Sequence, residues 1–174
     1  PMANPSMMFR KELFDRFGAY NDGIFPEDYE LFLRFQARGI VMSKVASVVL
    51  TWRDSKNRLT RNDSRYSQEA FYKIKAKYLA DWLAKNNPFY PKVYVWGAGR
   101  LSRRRSEYLK FYGIEIEKFI DVREGSGVVH YENIPEKKEY FIVSYVANRG
   151  ARDEIRAFLN SKKYEEGTHY IIAS

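Results

Sequence analysis

Two adjacent carboxylates, Glu27 and Asp28, open the stretch PEDYELFL, which runs from Pro26 to Leu33. The pattern predicts an amphipathic helix there. Pro26 suits the first helical position, where its missing N–H and fixed φ cost nothing. Tyr29, Leu31, Phe32, Leu33 and Phe35 supply a broad apolar face, and Gly39 stops the helix after Arg38. Acids in a first turn complement the positive end of the helix dipole. As a chelating pair they are poor, because neighbouring helical residues point about 100° apart. A second group of residues suits phosphate. The turn Gly97-Ala98-Gly99 sits between an apolar run, Val93 to Trp96, and a helical pattern from Arg100 to Phe111. Glycines in such a turn let backbone N–H groups approach a phosphate at the helix N-terminus. An acid at the end of the following strand, here Asp121, is placed to hydrogen-bond a ribose. Ser102 occupies the third glycine position, so the match to G-x-G-x-x-G is partial. Arg103, Arg104 and Arg105 follow, but three consecutive helical residues cannot all face one ligand.

The elements that must hold these groups divide the chain in two. A helix ending near Gly18 precedes the acidic helix, and a β-rich run, GIVMSKVASVVL, follows it. From Ser64 the pattern turns helical, with a linking helix over 66–85. Phe71, Ile74, Tyr78, Leu79 and Trp82 recur there at three- and four-residue steps, as a core-packing stripe does. Asn86, Asn87 and Pro88 end that helix, which places a boundary between residues 1–88 and 89–174. The second part reads strand, glycine turn, helix, strand (Ile114 to Ile120), then a third strand in YFIVSYVA, a helix in GARDEIRAFLNSK and a last strand in HYIIA. Four strands and two helices make a small parallel Rossmann-like α/β domain, too small for the two-half dinucleotide fold. The whole chain is therefore expected to be α/β, with a mostly helical first part.

Composition excludes several chemistries. The chain has 174 residues and no cysteine, so it has neither a disulfide framework nor thiolate chemistry. Its two histidines, His130 and His169, are too isolated for a zinc site. No apolar run reaches the roughly 18 residues that a spanning helix needs. The net charge is +8. From Arg53 to Lys77 eight cations face three acids, a patch suited to a diphosphate, an anionic membrane face or plain solvation. No nucleic-acid recognition motif accompanies it.

The succession of PSMMFRKELFDRFGAYND, the acidic helix, the β-rich run, then Trp52-Arg53 and a basic loop resembles the C-terminal half of the catalytic domain in family 2 glycosyltransferases of the GT-A fold. The resemblance covers about the first 90 residues. It implies that Asp28 is the general base that deprotonates an acceptor hydroxyl, with Glu27 beside it. A sugar hydroxyl needs such a group because it is a poor nucleophile until its proton is taken. The resemblance also places a basic residue near the donor diphosphate. Arg53 is the first candidate, with Trp52 and Arg58 in the same loop, and an ion pair of Arg53 with Asp54 or Asp63 is the rival reading. The family's donor half carries an Asp-X-Asp motif for a divalent metal, Mn or Mg, and no Asp-X-Asp occurs in these 174 residues. The chain is thus expected to be the acceptor-side piece of a longer enzyme, inactive alone, with the metal bound by the other half.

By the same resemblance the donor is a nucleotide sugar and the acceptor a glycan or lipid-linked glycan of bacterial surface polysaccharide. The expected setting is the cytoplasm, with peripheral contact at the inner membrane face. The second part is similar to the small nucleotide-binding domains of sugar acyltransferases, and some family 2 glycosyltransferases carry such a domain with a Trp-Gly-Ala-Gly turn. Gly97, Ala98, Gly99, Arg100 and Asp121 are its candidate nucleotide-binding residues. Two alternatives stay open: a nucleotide- or NAD-binding module without glycosyl transfer, and a non-catalytic assembly domain.

Overall fold

A computed structural model of the chain describes residues 4–51, 53, 55–135 and 139–174. The chain divides into two compact units, Pro1–Tyr78 and Leu79–Ser174. The first carries the helices α1 (Lys11–Phe17), α2 (Glu27–Ala37) and α3 (Leu59–Asn62), and the start of α4 (Gln68–Asn86). Leu31 and Phe35 of α2 are fully buried. Phe9, Phe14 and Phe17 meet the Phe35 ring at steep angles, with centroids 5.7, 6.0 and 6.2 Å away. Rings in such edge-on pairs gain about 0.5–1.5 kcal/mol beyond their buried area. This aromatic cluster forms an apolar core in the first unit, beside a second contact between the Tyr29 and Phe71 rings.

A buried charge fixes α2 against the end of α1. Glu30 is 3 % exposed. It accepts from Arg34 one turn on, at 3.2 Å from Nε, and from Tyr78 Oη and Asn21 Nδ2. Arg34 spends its remaining N–H groups on the carbonyls of Phe17, Gly18 and Ala19. Those carbonyls lie at the C-terminal end of α1, where no intrahelical donor is left for them. Gly18 at φ +79° makes the turn, and a side chain there would press within 3.2 Å of the guanidinium.

The run after α2 differs from expectation. Residues 40–50 form no strand, and Val41 and Val48 are 91 % and 90 % exposed. β-branched residues favour a strand only when a neighbouring edge offers hydrogen bonds and a face to pack on. Among the described residues, nothing pairs with this run.

The second unit is a five-stranded, all-parallel sheet in the order β3-β2-β1-β4-β5, with β1 Lys92–Trp96, β2 Glu115–Asp121, β3 Val128–His130, β4 Phe141–Ser144 and β5 Tyr170–Ile172. The central strands read as unbroken apolar runs because both faces are covered; all four residues of β4 are buried. Side chains alternate across the sheet. Trp96, Ile120, Ile142 and Tyr170 pack with Ile155 and Leu159 of α6 (Ala151–Ser161). On the other face Phe141 meets Trp82 of α4, and Phe119 meets Arg103 of α5 (Arg100–Lys110). The sheet has one more strand than the four expected. β3 is only three residues long and follows β2 after a six-residue turn, so it gives no periodic signal of its own. Among the described residues, no helix is long and apolar enough to cross a membrane.

Removing one partner of a buried ion pair strands the other charge. Arg34→Met is therefore expected to destabilise the first unit by about 3 kcal/mol in urea titration. Arg65→Met, which breaks the exposed pair of Arg65 with Asp63, should leave stability nearly unchanged. Equal effects would remove the Glu30–Arg34 network from its structural role.

Candidate functional site

In the first unit the candidate groups gather at the N-terminus of α2. Pro26 is the N-cap, one position ahead of expectation, with an extended ψ of 113°. Glu27 and Asp28 occupy the first turn. Both Glu27 carboxylate oxygens accept from Tyr66 Oη, at 2.6 and 2.8 Å. Burial first, and then the hydrogen bond to Glu27 and its charge, push the Tyr66 phenol up to about 12, so Tyr66 stays protonated as a donor. Asp28 is held differently. Its Oδ1 accepts the Tyr29 N–H at 2.7 Å, and no side-chain donor reaches it among the described residues. Burial raises the Asp28 carboxyl above its usual value; the Tyr29 N–H opposes that rise, and the Glu27 charge adds to it. One acid is thus tied down by a side-chain hydroxyl, while its half-buried neighbour has its carboxyl raised above the usual value.

The basic loop is spread more widely. Arg53 is exposed, and Trp52 and Asp54 lie outside the described residues. Arg58 caps α3 with extended backbone. Asp63, a rival partner for Arg53, instead binds Arg65 at 2.7 Å. Among the described residues, no group of three or more acid or histidine side chains is placed to hold a metal ion. Sequence reasoning passed over Glu30 and Tyr66, and took Tyr78 only as part of a core-packing stripe. The first was legible as the i,i+4 partner of Arg34 on the same helix face. The two tyrosines reach α2 across 39 and 48 residues, and no local pattern announces that.

In the second unit the chain reverses direction across the sheet between β1 and β4, and a cleft of about 660 Å³ opens at the carboxyl ends of those strands. Ligands of open α/β sheets bind at such switch points. Gly97, Gly99, Arg100, Ser102, Arg105 and Asp121 all border it. The two turn glycines are not equivalent. Gly97 sits at φ +113°, and an added Cβ would fall 2.6 Å from Ser102 Oγ. Gly99 has ordinary extended backbone, φ −66° and ψ 159°, and a Cβ there would meet nothing within 4 Å. Asp121 locks the turn: its Oδ2 accepts the Ala98 N–H at 2.5 Å and its Oδ1 the Val122 N–H at 2.8 Å. The carboxylate expected to face a ribose is therefore bonded to backbone through both oxygens. Arg103 is also committed, donating to the Ala98 carbonyl at 2.7 Å and lying 4.0 Å over the Phe119 ring. Of the three consecutive arginines, Arg105 is the one that borders the cleft.

Gly97→Ala should cost about 1–3 kcal/mol in thermal or urea unfolding, through positive φ and the Ser102 clash. Gly99→Ala should be neutral or stabilising by up to about 1 kcal/mol. The reverse order would overturn this division of roles. The Asp28 carboxyl, raised from 3.8, holds its proton more tightly in the folded chain than in the unfolded one. Its contribution to stability therefore falls as pH rises from about 3.8 through the raised folded value. Asp28→Asn should gain on the parent chain across that window in urea titrations, and a gap independent of pH would contradict the assignment. Comparison of this chain with family models, with curated proteins and with solved structures finds no match in any of the three.

Proposed function

We infer that the first unit is the acceptor-side piece of an inverting family 2 glycosyltransferase, with Asp28 as general base. The observation that carries this reading is the unequal treatment of two adjacent acids. Tyr66 holds Glu27 by both oxygens, while burial raises the proton affinity of Asp28. A carboxylate of raised basicity takes a hydroxyl proton more readily than an ordinary one, provided it is ionised at working pH.

In the reaction the acceptor O–H proton passes to the Asp28 carboxylate as the oxygen bonds to the anomeric carbon of the donor sugar. The bond from that carbon to the diphosphate oxygen breaks, and the electron pair leaves with the diphosphate. Attack opposite the leaving group inverts the centre. Arg53 and Arg58 are the cations offered for the charge that grows on the diphosphate. The described residues do not fit a divalent ion, so the Mn or Mg of this chemistry is assigned to the donor half. The step at Asp28 is written without it. A nucleotide sugar is the donor, a glycan or lipid-linked glycan the acceptor, and the basic patch suits an anionic membrane surface.

The test is transfer by the complete parent protein with a panel of UDP- and GDP-sugars. Asp28→Asn should lower the rate by roughly 10²–10⁴-fold while donor affinity stays unchanged. The 174-residue chain alone should turn over none of these donors. Undiminished transfer by the Asn variant would overturn the assignment of the base.

A further inference from the structure

We propose that Tyr66 is a positioning residue of the acidic site: its hydroxyl, bound to Glu27, fastens the basic loop of residues 55–66 to the helix that bears Asp28. The latch stands on geometry, and its meaning for diphosphate chemistry rests on the glycosyltransferase reading above. Three observations carry it. The first is that the loop is one piece. Asn62 Nδ2 donates to the carbonyls of Lys56 and Arg58, both at 3.1 Å. Asp63 accepts the Arg65 N–H at 2.9 Å through Oδ1 and the Arg65 guanidinium at 2.7 Å through Oδ2. Asn and Asp side chains bonded in this way close turns that have no ladder of their own. Arg58, Arg61 and Arg65 are thus tied to the short 3₁₀ turn Ser64–Tyr66 that ends the loop. Apolar burial does little to place that piece. Among the described residues, α3 and the turn bury none, and Leu59 is 62 % exposed. With so little area removed from water, the position of the loop falls to polar contacts.

The second observation is the contact itself. Tyr66 Oη donates to both Glu27 oxygens, at 2.6 and 2.8 Å, across 39 residues of chain. A hydrogen bond to an ionised acceptor is about twice as strong as a neutral one. Both partners are partly buried, which shelters the bond from competing water. A carboxylate whose two oxygens face one phenol is badly placed to take the proton of an acceptor hydroxyl. Glu27 is therefore the anchor of the loop, and the base is its neighbour.

The third is what the latch brings to the acid pair. The Arg65 guanidinium lies 6.0 Å from the centroid of the Tyr66 ring. The Tyr66 phenol, raised first by burial and then by Glu27, is raised further by Asp28 and lowered by Arg65, so both charges are within its reach. Two adjacent carboxylates repel a diphosphate. A loop that carries arginines to their side offsets that repulsion. Base and cations then keep one spacing, as a displacement needs from the groups that serve its nucleophile and its leaving group.

The experiment has two arms. In the 174-residue chain, limited trypsin cleavage after Arg58, Arg61 and Arg65 is followed by mass spectrometry, with cleavage after the exposed Arg123 of the second unit as internal standard. Tyr66→Phe should speed cleavage of the loop about 3-fold or more relative to Arg123, and Glu27→Leu should match it. The double variant should go little further, because both changes remove the same bond. In the complete parent protein, with whichever UDP- or GDP-sugar it turns over, Tyr66→Phe should raise the donor KM by more than it lowers kcat, the opposite of Asp28→Asn. Glu27→Gln still presents an amide oxygen to Tyr66 and should raise the donor KM less than Glu27→Leu does. Loop cleavage indifferent to Tyr66→Phe and Glu27→Leu would overturn the latch. So would additive effects in the double variant, or a fall in kcat at unchanged donor KM. A parent that turns over no nucleotide sugar would instead remove the glycosyltransferase reading, and the trypsin arm would still decide the latch.

Discussion

A carboxylate taken out of water must be met by donors, and in the first unit that constraint organises everything around it. Glu30 is buried on α2, so the chain has to bring cations and hydroxyls to it. Arg34 satisfies it from one turn away and then carries the demand outward, because a guanidinium has more N–H groups than one carboxylate can use. Those groups take the carbonyls at the end of α1. Tyr78 arrives from α4. With α2 pinned at its middle from two directions, its first turn is no longer free to fray, and Glu27 and Asp28 acquire fixed and different surroundings. The acid that ties the unit together, Glu30, is thus distinct from the two in the first turn.

The second unit uses the same device on backbone. Asp121 is an acid at the carboxyl end of β2 whose two oxygens gather N–H groups from the glycine turn and from its own next residue. The turn then has one shape, and Arg103 reinforces it by capping the Ala98 carbonyl while stacking on Phe119. Charge-assisted bonds to main-chain amides are among the stronger contacts a small domain has. The result is a fixed rim to a cleft whose other wall carries the Tyr131 and Phe158 rings together with Glu154.

Much of the second unit was legible because parallel strands buried on both faces read as continuous apolar runs, and KVYVW and YFIVS do so plainly. The glycine turn was legible from its place between strand and helix. What was not legible was the fate of Asp121, since a sequence shows an acid but not which amide reaches it first. β3 escaped because three residues carry no period. In the first unit the helix of PEDYELFL and its stop at Gly39 were readable from apolar spacing, yet the tyrosine contacts to Glu27 and Glu30 span 39 and 48 residues and leave no local trace. The valine run was misread for a physical reason: β propensity expresses a fit to a neighbouring sheet, and the described residues supply none to it.

The two glycines of one short turn answer to different demands. Any side chain at Gly97 would meet Ser102 on a backbone of positive φ, so the fold itself dictates that position. Gly99 carries no such demand from the described residues, and a small side chain there leaves the turn intact. Two positions in one turn thus part company: a substitution at the first reads out folding, and one at the second changes only the rim of the cleft.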